Sequence, residues 1–326
     1  MNQTLKIAKR KKNMRGTCFA TRHLVSAGLI TVLFTLSLVA QTQDQKTFAT
    51  PEDAVRALGE AAKSGNANDL LAIFGPEAAK IVSSGDSVDD KRNREVFVAA
   101  YEEGHRIAAE SANRRILYIG NEDWPFPIPI VKKAGQWRFD TAAGAHEILY
   151  RRIGRNELST IRVCLAYVEA QKEYASTGHD GKPAGLYASK FLSEPGKQDG
   201  LYWKTNEGAP PSPLGELAAE AATEGYDSAE LKHTPFHGYY FRILVAQGKA
   251  APGGARSYLS SGGMREGFAL VASPAEYGNS GVMTFIVSQQ GVVFEKDLGA
   301  GTSRLASGMT EYSPDTTWRR SIVPEE

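Results

Sequence analysis

Residues 121–140, NEDWPFPIPIVKKAGQWRFD, mark the point where the sequence changes from helical to extended periodicity. Ile128, Ile130, Trp137 and Phe139 alternate with residues of the opposite face, and a glycine lies in the turn between the two runs. This pattern is typical of an antiparallel hairpin that buries one face. The sequence therefore predicts a small sheet whose aromatic residues face a core; a ligand platform is the alternative.

Two prolines indicate where this strand lies within the sheet. Pro127 and Pro129 have no backbone N–H to donate to a neighbouring strand. Proline within a sheet is confined mostly to edge strands, so the pattern predicts a strand at the sheet edge.

Helical spacing precedes the sheet. Thr50 is a hydroxyl N-cap residue, Pro51 occupies the first helical position, and acidic residues follow in the first turn. Further helices are predicted over about 68–74 and 89–109, where apolar residues recur every three or four positions. Three helices followed by an antiparallel sheet predict an α+β domain over residues 47–140.

A second domain is predicted over residues 141–326. A long helix should begin at Asp140 or Thr141, because the following residues keep a helical spacing without proline. Residues 177–214 are rich in turn formers and predict an irregular cover with one short helix at 184–192. Three alternating runs then predict a C-terminal antiparallel sheet packed on the long helix: GYYFRILVAQG (238–248), GFALVASPAEYG (267–278) and GVMTFIVSQQGVVFEKDLG (281–299).

Residues 1–40 have the pattern of an export signal. Seven Lys and Arg residues, without an acid, lie in this segment, and the apolar run LVSAGLITVLFTLSLVA extends over 24–40. A polar linker at 41–48 follows. A signal peptide cleaved after Ala40 is expected, with an uncleaved membrane anchor as the alternative. The protein is therefore expected to be exported, either periplasmic or extracellular, or else anchored to the inner membrane.

The rest of the chain is mildly acidic. Without the first forty residues it has 31 Lys and Arg against 37 Asp and Glu, a balance of −6. This charge gives no electrostatic basis for binding nucleic acid or anionic lipid, so membrane contact is expected only through a retained N-terminal segment. Cleavage would leave Cys164 as the one cysteine, and its apolar neighbours predict a buried thiol rather than a nucleophile.

Three blocks of sequence carry a resemblance to a known family. They are PEDAVRALGEAAKSGNANDLLAIFGPEA (51–78), DWPFPIPIVKKAGQWRFDTAAG (123–144) and the strand runs within 238–299. Over most of residues 48–320 they resemble the bacterial exported family catalogued as domain of unknown function 2950. The resemblance implies export and provides no catalytic residues.

The second half is also similar to the globular heads of type IV pilins and pseudopilins, in which an antiparallel sheet packs on a helix. In pilins that helix begins at the apolar N-terminus, whereas here a whole domain lies between the apolar run and the helix. The likeness therefore implies a fold and not filament assembly.

The motif EYGNSGV, residues 276–282, raises the question of a serine nucleophile at Ser280. A nucleophilic serine needs a base and an orienting acid, and His233 and His237 are the candidate bases. The same residues are also typical of a turn between two strands, and this is the preferred interpretation. The two histidines would share a helix face suited to a metal, but Pro235 argues against a helix, so no metal is expected. No nucleotide or cofactor motif occurs, so no cofactor is expected.

Ligand-binding candidates are few. Trp124 is the aromatic candidate, and Asp180 and Asp199 lie in the irregular cover, where they could bind calcium weakly. Simple Asp-Gly turns are the preferred interpretation of both aspartates. Three arginines lie close together on the predicted long helix and favour a salt-bridged face over an anion site: Arg151, Arg152 and Arg155.

These patterns favour an exported cell-envelope protein that acts as a non-enzymatic binding or assembly module with an envelope protein as partner. The alternative is an exported hydrolase or small-ligand-binding enzyme that uses the loops within 177–237 and Ser280. The missing catalytic motifs lean against an enzyme.

Overall fold

The computed structural model describes residues 44–206, 208–227 and 234–322. The apolar run at 24–40 and His233 lie outside the described residues. Helices and antiparallel sheets make up the described part of the chain, which confirms the α+β class. Among the helices of these residues, none is long and apolar enough to cross a membrane.

From residue 44 onward, four α-helices precede the first sheet. The hydroxyl of Thr50 accepts a hydrogen bond from the backbone N–H of Asp53 at 3.1 Å, which confirms the predicted N-cap. Gly65 ends the first helix in the left-handed conformation, with φ of 69°. The helices are α1 (Pro51–Ser64), α2 (Ala67–Phe74), α3 (Ala79–Val82) and α4 (Ser87–Glu103).

The first sheet packs against α1 and α2. Its strands are β1 (His105–Ser111), β2 (Arg114–Ile119), β3 (Trp124–Pro125), β4 (Ile130–Lys133) and β5 (Gln136–Phe139). Their order is β1-β2-β4-β5, with β3 paired to β2. Ile128, Ile130, Trp137 and Phe139 are all buried in the core that this sheet shares with the helices. The predicted core face is therefore confirmed.

Two predictions for this region are wrong. The helix expected over 89–109 ends at Glu103, and the following residues pair with β2 as β1, because the antiparallel ladder satisfies their backbone groups. The strand expected at an edge lies between β2 and β5. It begins only at Ile130, so Pro127 and Pro129 precede the ladder and remove no hydrogen bond from it.

The long helix is α5 (Thr141–Ser176), and its 36 residues confirm the predicted span. At its start, the hydroxyl of Thr141 donates to the carbonyl of Phe74 at 2.6 Å. In its second half, the hydroxyl of Tyr167 donates to the carbonyl of Ala269 at 3.2 Å. One helix thus runs from the first hydrophobic core to the second.

The helix expected at 184–192 is absent from this described segment, so that prediction is wrong. The side chain of Gln171 on α5 provides the physical reason. Its amide oxygen accepts from the N–H of Ala188 at 2.9 Å, and its amide nitrogen donates to the Ala188 carbonyl at 2.7 Å. A buried side chain therefore satisfies backbone groups that a helix would otherwise pair.

The remaining elements confirm a long helix packed on a C-terminal antiparallel sheet. In chain order these elements are α6 (Gly215–Thr223), β6 (Tyr239–Leu244), β7 (Ala246–Gln247), β8 (Arg256–Ser257), β9 (Leu259–Ser260), β10 (Gly263–Met264), β11 (Ala269–Pro274), β12 (Met283–Ser288), β13 (Phe294–Asp297), α7 (Thr302–Ser307) and β14 (Arg319–Arg320). The strands of the second sheet have the order β14-β13-β12-β11-β6.

The two sheets have separate hydrophobic cores. One contains α1, α2 and the first sheet, and the other contains the second half of α5 and the second sheet. Residues 42–326 nevertheless group into one compact unit. The division into domains at residue 140 therefore stays a prediction.

Candidate functional site

A cleft of about 280 Å³ opens beside the first core. Helices α1, α2, α3 and α4, β3 with the loop after it, and the first turns of α5 form its walls. Its floor is apolar and largely aromatic, and the main contributors are Leu70, Phe74, Phe97, Phe126, Ile128 and Ile148. Clefts of this composition, near the lower end of the ~300–1,000 Å³ range of ligand sites, are typical of small-molecule binding.

Phe126 is the centre of the aromatic floor. Its ring centroid lies 6.2 Å from that of Phe74, 5.6 Å from that of Phe97 and 6.5 Å from that of Trp124. Such offset and edge-on pairs hold the rings in defined positions. Trp124, the aromatic ligand candidate, borders the cleft and is 40% exposed. The aromatic rings of the floor are therefore already positioned without a ligand, and Trp124 continues this aromatic surface to the solvent.

Four arginines and one acidic residue line the same cleft: Arg94, Arg151, Arg152, Arg155 and Asp90. The side chain of Asp90 accepts hydrogen bonds from the N–H of Ser84 at 3.0 and 3.1 Å. Burial raises the pKa of Asp90. The lining is consequently basic in a chain whose described part is acidic overall.

Arg152 has a structural position below the cleft. Its guanidinium donates to the carbonyl of Lys80 and to Oδ1 of Asn279, both at 2.6 Å, and to the carbonyl of Ile81 at 2.8 Å. Burial lowers the pKa of this guanidinium. Because three of its five N–H donors bind buried acceptors, two of them on α3, Arg152 fixes α5 against the α3 segment.

Arg151 and Arg155 lie at the mouth of the cleft, with about half of each side chain exposed. Nε of Arg151 donates to Glu147 at 2.6 Å, and its guanidinium lies 5.5 Å from the Trp124 ring centroid. Nη2 of Arg155 is 3.6 Å from Asp89 Oδ2. Both ion pairs are solvent-exposed on the arginine side, so they are weak and leave donors free.

Ser280 lies in a tight turn. Its side chain is fully buried, its Oγ accepts from the N–H of Glu276 at 2.9 Å, and it donates to the Glu276 carbonyl at 3.3 Å. Nε2 of His237 lies 2.6 Å from Oε2 of Glu224. Among the described residues, no hydrogen bond joins Ser280 to a histidine. The structure thus brings Ser280 to Glu276 and His237 to Glu224, in two separate contacts.

Asp180 and Asp199 border a small depression of about 70 Å³ in the irregular cover. Asp180 accepts from the N–H of Gln198 at 2.9 Å, and Asp199 accepts from the N–H of Glu194 at 2.9 Å. Asp199 also pairs with Lys190 at 2.8 Å. Both carboxylates therefore stabilise the loop. Within the described ranges, no group of three or more potential ligands could hold a metal ion.

Cys164 is fully buried in the second core, and burial raises the pKa of its thiol to about 12. A thiol in this state is a poor nucleophile at neutral pH.

The sequence alone missed most of the cleft. Trp124 and the three arginines of α5 were singled out, but Arg94, Phe97 and Ile148 were not. The one available signal was the spacing of Arg151 and Arg155, which places both side chains on one face of a helix. No local pattern indicates that this face meets Trp124.

The family model described as protein of unknown function (DUF2950) matches residues 45–321. No curated protein and no solved structure matches the chain. The likeness of the second half to pilin heads therefore stays a prediction.

Proposed function

This chain belongs to the family described as protein of unknown function (DUF2950), and we propose that it is an exported, non-enzymatic binding module of the cell envelope. The cleft beside the first core is its binding site, and a small apolar ligand is what it takes. The observation that carries this proposal is a pair of partly exposed rings, Phe97 and Phe126, that line the cleft beside Trp124, which is 40% exposed.

Apolar side chains exposed to water in an open cleft raise the free energy of the folded protein, and a bound ligand that covers them lowers it. Exposed apolar surface loses roughly 25 cal/mol for each Å² that could have been buried. The core next to the cleft is well packed, with Phe74 and Ile128 almost inaccessible. The open volume therefore lies at the edge of a formed core, and a ligand can bury the exposed faces of Trp124 and Phe126 without rearranging it.

The hydrolase alternative has less support. A buried serine hydroxyl that accepts a hydrogen bond within its own turn is poorly placed to attack a substrate. His237, the described candidate base, is engaged by Glu224.

Binding can be tested with the neutral fluorescent probe N-phenyl-1-naphthylamine and protein that begins at Gln41. Saturable binding with a rise in probe fluorescence is expected. Trp124→Ala should weaken binding about five- to tenfold, because an aromatic contact contributes roughly 1–1.5 kcal/mol beyond its buried area.

Tyr240→Ala provides the matched control. Tyr240 is 45% exposed, close to the 40% of Trp124, but lies on β6 of the other sheet. Its replacement should leave probe affinity unchanged. If the probe does not bind saturably, or if both variants lose the same amount of probe affinity, the cleft is not the binding site. Thermal unfolding of each variant checks that the fold is retained.

The export part of the proposal rests on the basic segment and the apolar run at 24–40. In fractionated bacteria, the full chain should be recovered outside the cytoplasm, with an N-terminus at Gln41 by intact mass. A chain without residues 1–40 should stay in the cytoplasm. Recovery of the full-length mass in the membrane fraction would instead indicate the retained anchor, and recovery of the full chain in the cytoplasm would contradict export. An envelope protein is the expected partner.

A further inference from the structure

We infer that the ligand of the cleft is a single-chain aliphatic carboxylate, with its chain on the aromatic floor and its carboxylate at the arginines of the mouth. This inference rests on the proposed binding function and adds the chemical class of the ligand. Its basis is charge: Arg94, Arg151 and Arg155 line a largely apolar cleft, and Asp90 is the one acidic residue of the lining.

Two of the arginines that line the cleft have guanidinium N–H groups without a described acceptor. Arg94 on α4 is partly buried and has no hydrogen bond or ion pair among the described residues. Arg151 on α5 uses Nε for Glu147, and its Nη groups have no further described partner. A guanidinium presents five N–H donors in a fixed fork that fits a carboxylate. A ligand carboxylate at the mouth would therefore occupy donors that the protein itself does not use.

The protein's own acids neutralise part of this basic lining. Glu147 pairs with Nε of Arg151 at 2.6 Å, and Asp89 lies 3.6 Å from Arg155. Among the described residues, no acid pairs with Arg94, which also lines the cleft. An incoming carboxylate would therefore meet Arg94 and the Nη groups of Arg151.

The shape of the cleft selects one chain. A volume of about 280 Å³ is near the lower limit of ligand sites, which leaves no room for two acyl chains. Trp124 and Arg151 lie together at the mouth, with 5.5 Å between guanidinium and ring centroid. An aliphatic chain entering past Trp124 would therefore leave its carboxylate beside Arg151.

The test compares decanoate with decanol, which share a chain length and differ in charge. Their affinities are measured at neutral pH by displacement of N-phenyl-1-naphthylamine from protein that begins at Gln41. Decanoate is expected to bind about tenfold more tightly than decanol, because a charge-assisted hydrogen bond contributes on that order. This preference should decrease with added salt, since the arginines at the mouth are exposed.

Variants of Arg94 and Arg151 test whether these arginines cause the preference for decanoate over decanol. In the double variant Arg94→Gln with Arg151→Gln, decanoate and decanol should bind within about twofold of each other. Arg162→Gln is the matched control, because Arg162 is an exposed arginine of α5 outside the cleft. The control should keep the full preference. Arg94→Lys with Arg151→Lys should keep part of it, because the charge remains but the fork is lost.

The outcomes separate the two proposals. If neither decanoate, decanol nor the neutral probe binds saturably, the proposed binding function fails. If decanol and decanoate bind equally well, the cleft is an apolar site and only the carboxylate inference is overturned. An equal loss of preference in the Arg162 variant would also overturn it, because the effect would then be one of overall charge.

Discussion

Replacing Arg152 by methionine is expected to lower the free energy of unfolding by about 3–5 kcal/mol, because three buried acceptors lose their hydrogen bonds and each unsatisfied group costs roughly 1–3 kcal/mol. The side chain is 6% exposed. It donates to the carbonyls of Lys80 and Ile81 and to Asn279. Methionine keeps an unbranched apolar stem but donates no hydrogen bond, so these acceptors would be left without a partner in a place that excludes water. Urea unfolding followed by circular dichroism measures the effect.

The neighbouring residue is the control for this change. Arg151 has the same side chain on the same turn of α5, but 49% of it is exposed. Arg151→Met should change stability by no more than about 1 kcal/mol, as is usual for exposed ion pairs. Similar losses in both variants would show that burial does not distinguish the two arginines, and the described network would be wrong.

Replacing Gly144 by alanine is expected to destabilise the protein by about 1–3 kcal/mol, the range for an overpacked core position. A Cβ at this position would lie 2.6 Å from the carbonyl oxygen of Pro127 and 2.8 Å from Cα of Ile128. These are backbone atoms, which cannot rotate away, so α5 would have to move off the segment before β4. Because Pro127 and Ile128 line the cleft, probe binding should weaken as well.

Gly154 gives the opposite expectation on the same helix. Apart from its chain neighbours and the backbone of its own helix, no atom lies within 4 Å of a Cβ added there. Gly154→Ala should therefore raise the free energy of unfolding by about 0.5–1 kcal/mol, because alanine is the better helix former. Thermal or urea unfolding of the two variants should give changes of opposite sign. Stabilisation by both changes would mean that α5 does not contact the Pro127 segment as described.

The helix and strand predictions that succeeded depend on neighbours in the chain. The Thr50 cap, the Pro51 start and the Gly65 stop define α1 within a few residues. The alternation around Ile130 and Phe139 identified the buried face of the first sheet. In each case the stabilising contact lies within one element or follows from the period of burial.

The failed predictions depend on distant partners. Residues 105–111 are compatible with a helix, but pairing with β2 makes them a strand. Residues 184–192 have a helical composition, but the amide of Gln171 pairs the backbone at Ala188. Propensity is a weak preference of less than about 1 kcal/mol for an ordinary residue, and such tertiary contacts override it.

The sequence by itself determined the α+β class, the N-cap of α1, the span of α5 and the buried face of the first sheet. These features follow from local hydrogen bonding and from the spacing of apolar residues. Only the tertiary structure decided the cleft, because its lining comes from six segments between residues 58 and 155. The approach of Arg151 to Trp124 and the burial of Arg152 next to it result from how the first half of α5 packs against Pro127, Ile128 and the α3 segment, and no local pattern encodes that packing.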